Sequence, residues 1–270
     1  IVDDMSNGHL ALLEGLKFKV LPGASFIYHF NQSIKGSVKR NDDLVLVAQD
    51  DFASKPLLDY ISTGAYDVIF HQAAMPRVSY SVEHPAETTD VNITKTVALF
   101  DAAKGHVKRI VNASSSSVYG GNSKLPFDEK QKTDNPISLY GATKKNNEIL
   151  AYYYNRQFNI SMFGIRFFTV YGSYGRPDLS IFKFCNQIIS GKKLVLYNRG
   201  NNYRDFTYIE DLIENIYKLM KVKKKKNFFK ILNISSGKKI KIISLVKILE
   251  KQLNKKAKII LEKKISTDIP

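Results

Sequence analysis

The sequence predicts an α/β fold in which buried strands alternate with helices and carry their working residues at the strand ends. Three observations point to it. Val107–Asn112 (VKRIVN) is apolar enough for a buried strand and runs into four serines at 114–117. Asn147, Ile149, Leu150 and Tyr153 then follow at helical spacing. Ile160–Arg166 (ISMFGIR) reads as the next buried strand. Small hydroxyl residues at a strand end present their oxygens at the C-terminal edge of a sheet, where open α/β folds place ligands.

Tyr140 and Lys144 open that helix. At i and i+4 they share one helix face. An ammonium near a tyrosine hydroxyl favours the phenolate, which makes the pair a candidate base. The blander reading is a surface pair on a helix beside a serine-rich turn.

The serine run through Tyr119-Gly120, the Tyr140-x-x-x-Lys144 pair and the 25-residue spacing from Ser115 to Tyr140 resemble the extended short-chain dehydrogenase/reductases, the NAD-dependent sugar-nucleotide epimerase and dehydratase family. The resemblance implies a Rossmann-type, doubly wound parallel sheet with a smaller C-terminal substrate lobe. It divides the chain into an NAD-binding part, 1–165, and a mainly substrate-binding part, 166–270. Ser115, Tyr140 and Lys144 become the catalytic set, and NAD the cofactor, with Tyr140 and Lys144 also touching it.

In chain order, Ile1-Val2-Asp3-Asp4 looks like a strand end and a turn. By resemblance Asp3 takes the adenosine ribose, with Asp4 beside it, and an acid there favours NAD over NADP. The family's glycine-rich phosphate loop does not occur in these 270 residues. That, with the missing initiating methionine, leads to the expectation of a fragment or truncated gene lacking the family's first strand and helix. The same chain is expected to bind NAD poorly by itself. Leu10, Leu12, Leu13 and Leu16 suggest a short helix, and Asp42–Val47 a strand. Asp51-Phe52 resembles the pair that brackets the adenine, with Asp50 as the other register. Leu57, Leu58 and Ile61 have helical spacing, and Tyr66–Phe70 reads as a strand.

After that strand comes His71-Gln72-Ala73-Ala74. The resemblance places Ala73 and Ala74 against NAD, whereas His71 reads as a packed histidine. A helix is expected over Glu87–Ala103, with Asn92 tying it to the central strand. Beyond Arg166, Phe167-Phe168-Thr169-Val170-Tyr171-Gly172 and Gly175-Arg176-Pro177-Asp178 resemble the UDP-glucuronate 4-epimerases of capsular-polysaccharide type. In that subgroup the threonine and arginine hold the sugar carboxylate, so Thr169 and Arg176 take that role. Guanidinium suits it through two parallel hydrogen bonds. The competing reading makes Arg176 a loop residue paired with an internal acid such as Asp178.

Further on, Phe182–Ile189 reads as a helix and Leu194–Tyr197 as a strand. Arg204-Asp205-Phe206 resembles the family motif whose arginine contacts the nucleotide diphosphate. Asp211 is expected to cap the helix Leu212–Met220. Ile231–Gly237 looks like a late strand and Ser244–Leu253 an amphipathic helix. Asp268 resembles the aspartate near the uridine ribose. About fifty family residues are expected beyond Pro270, judging by the usual size of such a fold.

Composition narrows the classes. The net charge is +16, and residues 221–270 carry sixteen lysines against Glu250, Glu262 and Asp268. No aromatic interleaving or nucleic-acid motif accompanies them, so they read as a solvated surface, not a nucleic-acid site. The single cysteine, Cys185, excludes an internal disulfide and fits a reducing, cytoplasmic compartment. No apolar run is long enough to insert in a membrane, and no metal site is expected. A homodimer through the helices after His84 and Tyr140 is implied by analogy alone.

The function that follows is inversion at C4 of a UDP-sugar through a 4-keto intermediate, foremost UDP-glucuronate to UDP-galacturonate, in polysaccharide biosynthesis. Ser116 and Ser117 stand where the family's dehydratases carry two acids, which disfavours dehydration. The alternative substrate is UDP-glucose or UDP-N-acetylglucosamine, suggested by Met75-Pro76-Arg77-Val78-Ser79. A reading of another class is a catalytically dead, truncated paralogue that binds nucleotide or a partner.

Overall fold

The computed structural model describes residues 1–5, 17–22, 44–122, 124–223 and 228–263. The helix read near Leu10–Leu16, residues 224–226 of the lysine run and Asp268 lie outside them. The chain forms two compact units. One comprises Ile1–Val118, Pro136–Gly164 and Lys224–Ile231; the other, Tyr119–Asn135, Ile165–Lys223 and Leu232–Pro270.

The first unit opens with β1 (Val2–Asp3), β2 (Lys17–Pro22) and β3 (Leu44–Gln49). They form a parallel sheet in the order β1-β3-β2. Helix α1 (Lys55–Ile61) follows, with a proline in its first turn, where no N–H is needed. β4 (Val68–His71) pairs in parallel with β5 (Arg109–Ser115), His71 lying opposite Asn112. With β6 (Ser161–Phe167) and β10 (Phe229–Ile234) they make a four-stranded sheet in the order β10-β6-β5-β4. Every residue of β5 is buried. Its polar side chains therefore need partners inside the protein.

Between β4 and β5 lie α2 (Val78–Glu83), α3 (Pro85–Thr89) and α4 (Lys95–Ala103). The single helix expected over 87–103 is interrupted at Asp90–Thr94 by a turn of π-helix. One residue is accommodated there beyond the regular repeat, which no period-3.6 pattern reveals. Helix α5 (Leu139–Phe158) starts where Ser138 Oγ accepts from the Gly141 N–H at 3.0 Å. It ends at Asn159, whose φ of 56° is the left-handed conformation asparagine tolerates at helix ends. Phe100, Ala103, Ile110, Ala151, Ile160 and Met162 join helices and sheet in one buried cluster.

In the second unit β7 (Thr169–Tyr171), β9 (Tyr203–Tyr208) and β11 (Lys239–Lys241) form a sheet in the order β11-β9-β7. β9 runs parallel to β7 and antiparallel to β11. β8 (Lys193–Leu196) pairs in parallel with β12 (Lys258–Leu261). Helices α6 (Ser180–Ile189) and α8 (Ile242–Leu253) place Phe184, Ile188, Leu245 and Val246 on Leu194, Leu196 and Phe206. In α7 (Ile209–Lys221) the cap position is Tyr208, not Asp211. Asp211 instead sits with Glu210 in the first turn, where a carboxylate meets the positive end of the helix dipole. The 119–135 excursion is tied down by Tyr119: its hydroxyl donates to Asn233 Oδ1 at 2.7 Å and accepts from Arg166 Nη1 at 2.9 Å. Its ring stacks on Phe127.

Candidate active site

The end of β5 is gripped by α5 in the first unit. Lys144 Nζ donates to the Ala113 carbonyl at 2.9 Å. Ser114 Oγ donates to Glu148 Oε1 at 2.6 Å, one turn further along the helix. Ser115 comes next, and its Oγ accepts from the Ser117 N–H at 3.1 Å. The first turn of α5 presses on the same serines. A Cβ built on Gly141 would lie 2.7 Å from the Ser117 carbonyl oxygen. Glycine is thus what lets helix and serine run approach this closely. Tyr140 immediately precedes it, and Lys144 Nζ lies 6.0 Å from the centre of the Tyr140 ring. Ser115, Tyr140 and Lys144 are therefore gathered at one strand end of one unit.

Lys144 is only 2% exposed. Burial pushes its ammonium down to about 8. Close by, His71 closes β4. It is 4% exposed, and its Nε2 lies 3.0 Å from Thr96 Oγ1. Its ring packs against Phe52 and Phe100. Burial, and secondarily the charge of Lys144, push His71 down to about 3, so it stands neutral. This is the packed histidine that the sequence suggested.

Asn92 stands on the π turn and is fully buried. Its Oδ1 accepts from the Met75 N–H at 2.7 Å, while Nδ2 donates to the Met75 carbonyl and to Thr143 Oγ1. Thr143 in turn donates to the Tyr140 carbonyl at 2.8 Å. Asn92 thus joins the loop after β4 to α5, not to the central strand as expected. The Tyr140 N–H also donates to Ser81 Oγ on α2 at 3.3 Å.

The expected cofactor residues lie at strand ends of this same unit. Asp3 closes β1, and its Oδ1 accepts from the Met5 N–H at 2.7 Å. Asp4 is exposed beside it. Ala73 is exposed and Ala74 half-buried just past β4. Asp51 accepts from the Ala53 N–H at 2.8 Å and from Lys95 Nζ at 2.5 Å. Burial pushes the Asp51 carboxyl up, but the Lys95 and Ala53 hydrogen bonds outweigh it and hold it low. Asp50 is committed locally, to the Asp51 N–H and Ser54 Oγ. Phe52 packs against the core cluster as well as His71. These residues fit a dinucleotide: acids for ribose hydroxyls, alanines that leave room for a ring, and a buried ammonium beside a phenol.

In the second unit, Thr169 begins β7 opposite Phe206 of β9. Arg204 Nη1 donates to the Tyr203 carbonyl at 2.7 Å. Arg176 follows in the loop after β7 and is paired with Asp178. Sequence reasoning did not find Glu148 or Lys95. Glu148 had a signal, since it extends the Tyr140, Lys144 series by four more residues. Lys95 had none, since its partner is 44 residues away.

Residues 25–235 match the model of the NAD dependent epimerase/dehydratase family, and the chain belongs to that family. Among its relatives, an uncharacterized protein of Methanocaldococcus jannaschii is 43% identical over 204 residues, 75% of this chain and 61% of that protein. A probable UDP-glucuronate 4-epimerase of Rhizobium meliloti is 36% identical over 208 residues, 71% of this chain and 61% of that protein. The chain thus spans about three fifths of the length of these relatives. The solved UDP-glucuronic acid 4-epimerase from Bacillus cereus, in complex with UDP-glucuronic acid and NAD, aligns with a TM-score of 0.74 and 25% identity. That alignment covers 93% of this chain and 87% of that one. The α/β Rossmann-type fold expected from the sequence is the fold of this family.

Proposed function

We propose that this protein is an NAD-dependent UDP-sugar 4-epimerase acting foremost on UDP-glucuronate. The observation that carries the reading is the Lys144 ammonium buried on the carbonyl of Ala113, two residues before Ser115 on β5, and 6.0 Å from the centre of the Tyr140 ring. A buried cation beside a phenol favours the phenolate, so Tyr140 can take the proton of the 4-hydroxyl and return it. Ser115 hydrogen-bonds the same oxygen and orients it. Asp3 and Asp4 serve the adenosine ribose, Asp51 and Phe52 the adenine, and Ala73 and Ala74 leave space for the ring. NAD, when bound, supplies the hydride acceptor that an unactivated C4–H requires. In the second unit Thr169 and Arg176 are read as carboxylate partners, Arg204 as a diphosphate partner and Asp268 as a ribose partner.

Relatives named as UDP-glucuronate 4-epimerases support the substrate. A homodimer is part of the reading, supported by Ile149 and Tyr153, which are about half exposed four residues apart on α5. Among the described residues no helix is long and apolar enough to cross a membrane. A cytoplasmic place and a polysaccharide pathway remain within this reading, the former supported by the unpaired Cys185 thiol.

The test is turnover by the full-length protein. Tyr140→Phe should lower turnover of UDP-glucuronate by about 10²–10⁴-fold. Near-normal turnover would remove Tyr140 from the chemistry. Faster turnover of UDP-glucose than of UDP-glucuronate in the unmodified protein would reassign the substrate.

A further inference from the structure

Arg176 and Asp178 hold each other in a matched fork. Arg176 Nε donates to Asp178 Oδ1 at 3.0 Å, and Nη2 to Oδ2 at 2.6 Å. Two parallel bonds of this kind are how a guanidinium takes any carboxylate. The pair is built into a shaped loop. Gly172 and Tyr174 have positive φ values of 141° and 59°. The Gly175 N–H donates to the Gly172 carbonyl at 3.2 Å, and the Leu179 N–H to the Arg176 carbonyl at 3.1 Å. The two side chains are 37% and 41% exposed. A pair this open to water is weak and can exchange partners.

Resting on the reading above, we propose that Asp178 is a resident competitor for the substrate's carboxylate and sets the selectivity between carboxylated and neutral sugar nucleotides. A carboxylated sugar can take the Arg176 fork only by replacing Asp178. Once replaced, Asp178 remains a like charge close by and opposes the newcomer. A neutral sugar leaves the pair closed and gains nothing from its opening. Asp178 therefore lowers affinity for UDP-glucuronate, leaves affinity for UDP-glucose unchanged and permits quick release of an anionic product.

Calorimetric binding to the NAD-loaded, full-length protein tests this with UDP-glucuronate and UDP-glucose. Asp178→Asn should tighten UDP-glucuronate by about three- to tenfold and hold UDP-glucose within about twofold. On an Arg176→Met background the same change should do nothing, because there is no fork to free. Unchanged or weaker UDP-glucuronate binding in Asp178→Asn, with UDP-glucose unaffected, overturns the proposal. Should the asparagine loosen the loop, both nucleotides weaken together. Asp178→Ser then decides, a selective gain upholding the proposal and none overturning it. If neither nucleotide binds the unmodified protein, the functional reading itself fails.

Discussion

Ser114 Oγ donates to Glu148 Oε1 at 2.6 Å, with both residues buried, one helical turn beyond the bond between Lys144 and the Ala113 carbonyl. Two successive residues of β5 are thereby fixed to one helix just before Ser115. Losing either partner removes a buried hydrogen bond. Glu148→Ala is expected to lower kcat by about tenfold or more, with KM little changed. Ser114→Ala should do the same, and the double variant should be scarcely worse than either single one. Glu148→Gln, which keeps an acceptor, should recover most of the loss. Independent, additive effects on kcat would refute the coupling.

The buried ammonium gives a second expectation. The Lys144 pKa is about 8 in the fold against 10.5 ordinarily. The unfolded chain therefore binds more protons between those values, and stability rises with pH across that window. At pH 7 holding the charge costs about 3 kcal/mol. Lys144→Met should be inactive yet more stable at pH 7 in the ligand-free protein, by about 1–3 kcal/mol after loss of the Ala113 bond. The difference should shrink toward pH 10. Denaturant titrations at pH 7 and 10 check both signs.

His71 acts in the acid range. Its pKa of about 3 lies below the ordinary 6.5, so the unfolded chain takes up a proton that the fold refuses. Stability from this group is present above pH 6.5 and is lost as pH falls toward 3. Between pH 7 and pH 5 the loss should be about 2 kcal/mol. His71→Gln, long enough to reach Thr96, should lose correspondingly less over that interval. Equal slopes for the two proteins would contradict the neutral, buried state of His71.

Two glycines should respond in opposite ways. A Cβ on Gly141 meets the Ser117 carbonyl oxygen at 2.7 Å, a backbone atom that cannot step aside. One on Gly164 meets Ile231 Cδ1 at 2.4 Å, the far end of a flexible side chain. Gly141→Ala should cost about 1–3 kcal/mol and most of the activity. Gly164→Ala should cost less than about 1 kcal/mol, since Ile231 can repack. Melting temperatures and turnover of the two variants, side by side, decide it.

The strands were legible because they are short apolar runs between turns, and observed strands such as Leu44–Gln49 and Ser161–Phe167 lie within about two residues of the expected ones. The placing of Tyr140 and Lys144 on one helix beside the serine run was legible because it depends on local spacing. What escaped depends on contacts distant in sequence. The widened turn at Asp90–Thr94 answers to Asn92 bonding Met75 and Thr143, which period alone cannot announce. The Asp211 position failed because α7 starts three residues earlier than its apolar spacing suggests, at Ile209. The Lys95–Asp51 pair joins α4 to the residues after β3, and no local pattern links them.

That widened turn also acts as a phase adjuster. Because it absorbs one residue beyond the α repeat, deleting one residue within 90–94 should close it into regular α-helix and keep the flanking segments in phase. Leu99 and Phe100 would stay in the apolar interior and Thr96 beside the imidazole, while Asn92 would lose its place between Met75 and Thr143. The cost of a single-codon deletion inside the turn should therefore fall on the contacts of Asn92 and not on the packing of the helical segment from Pro85 to Ala103 as a whole.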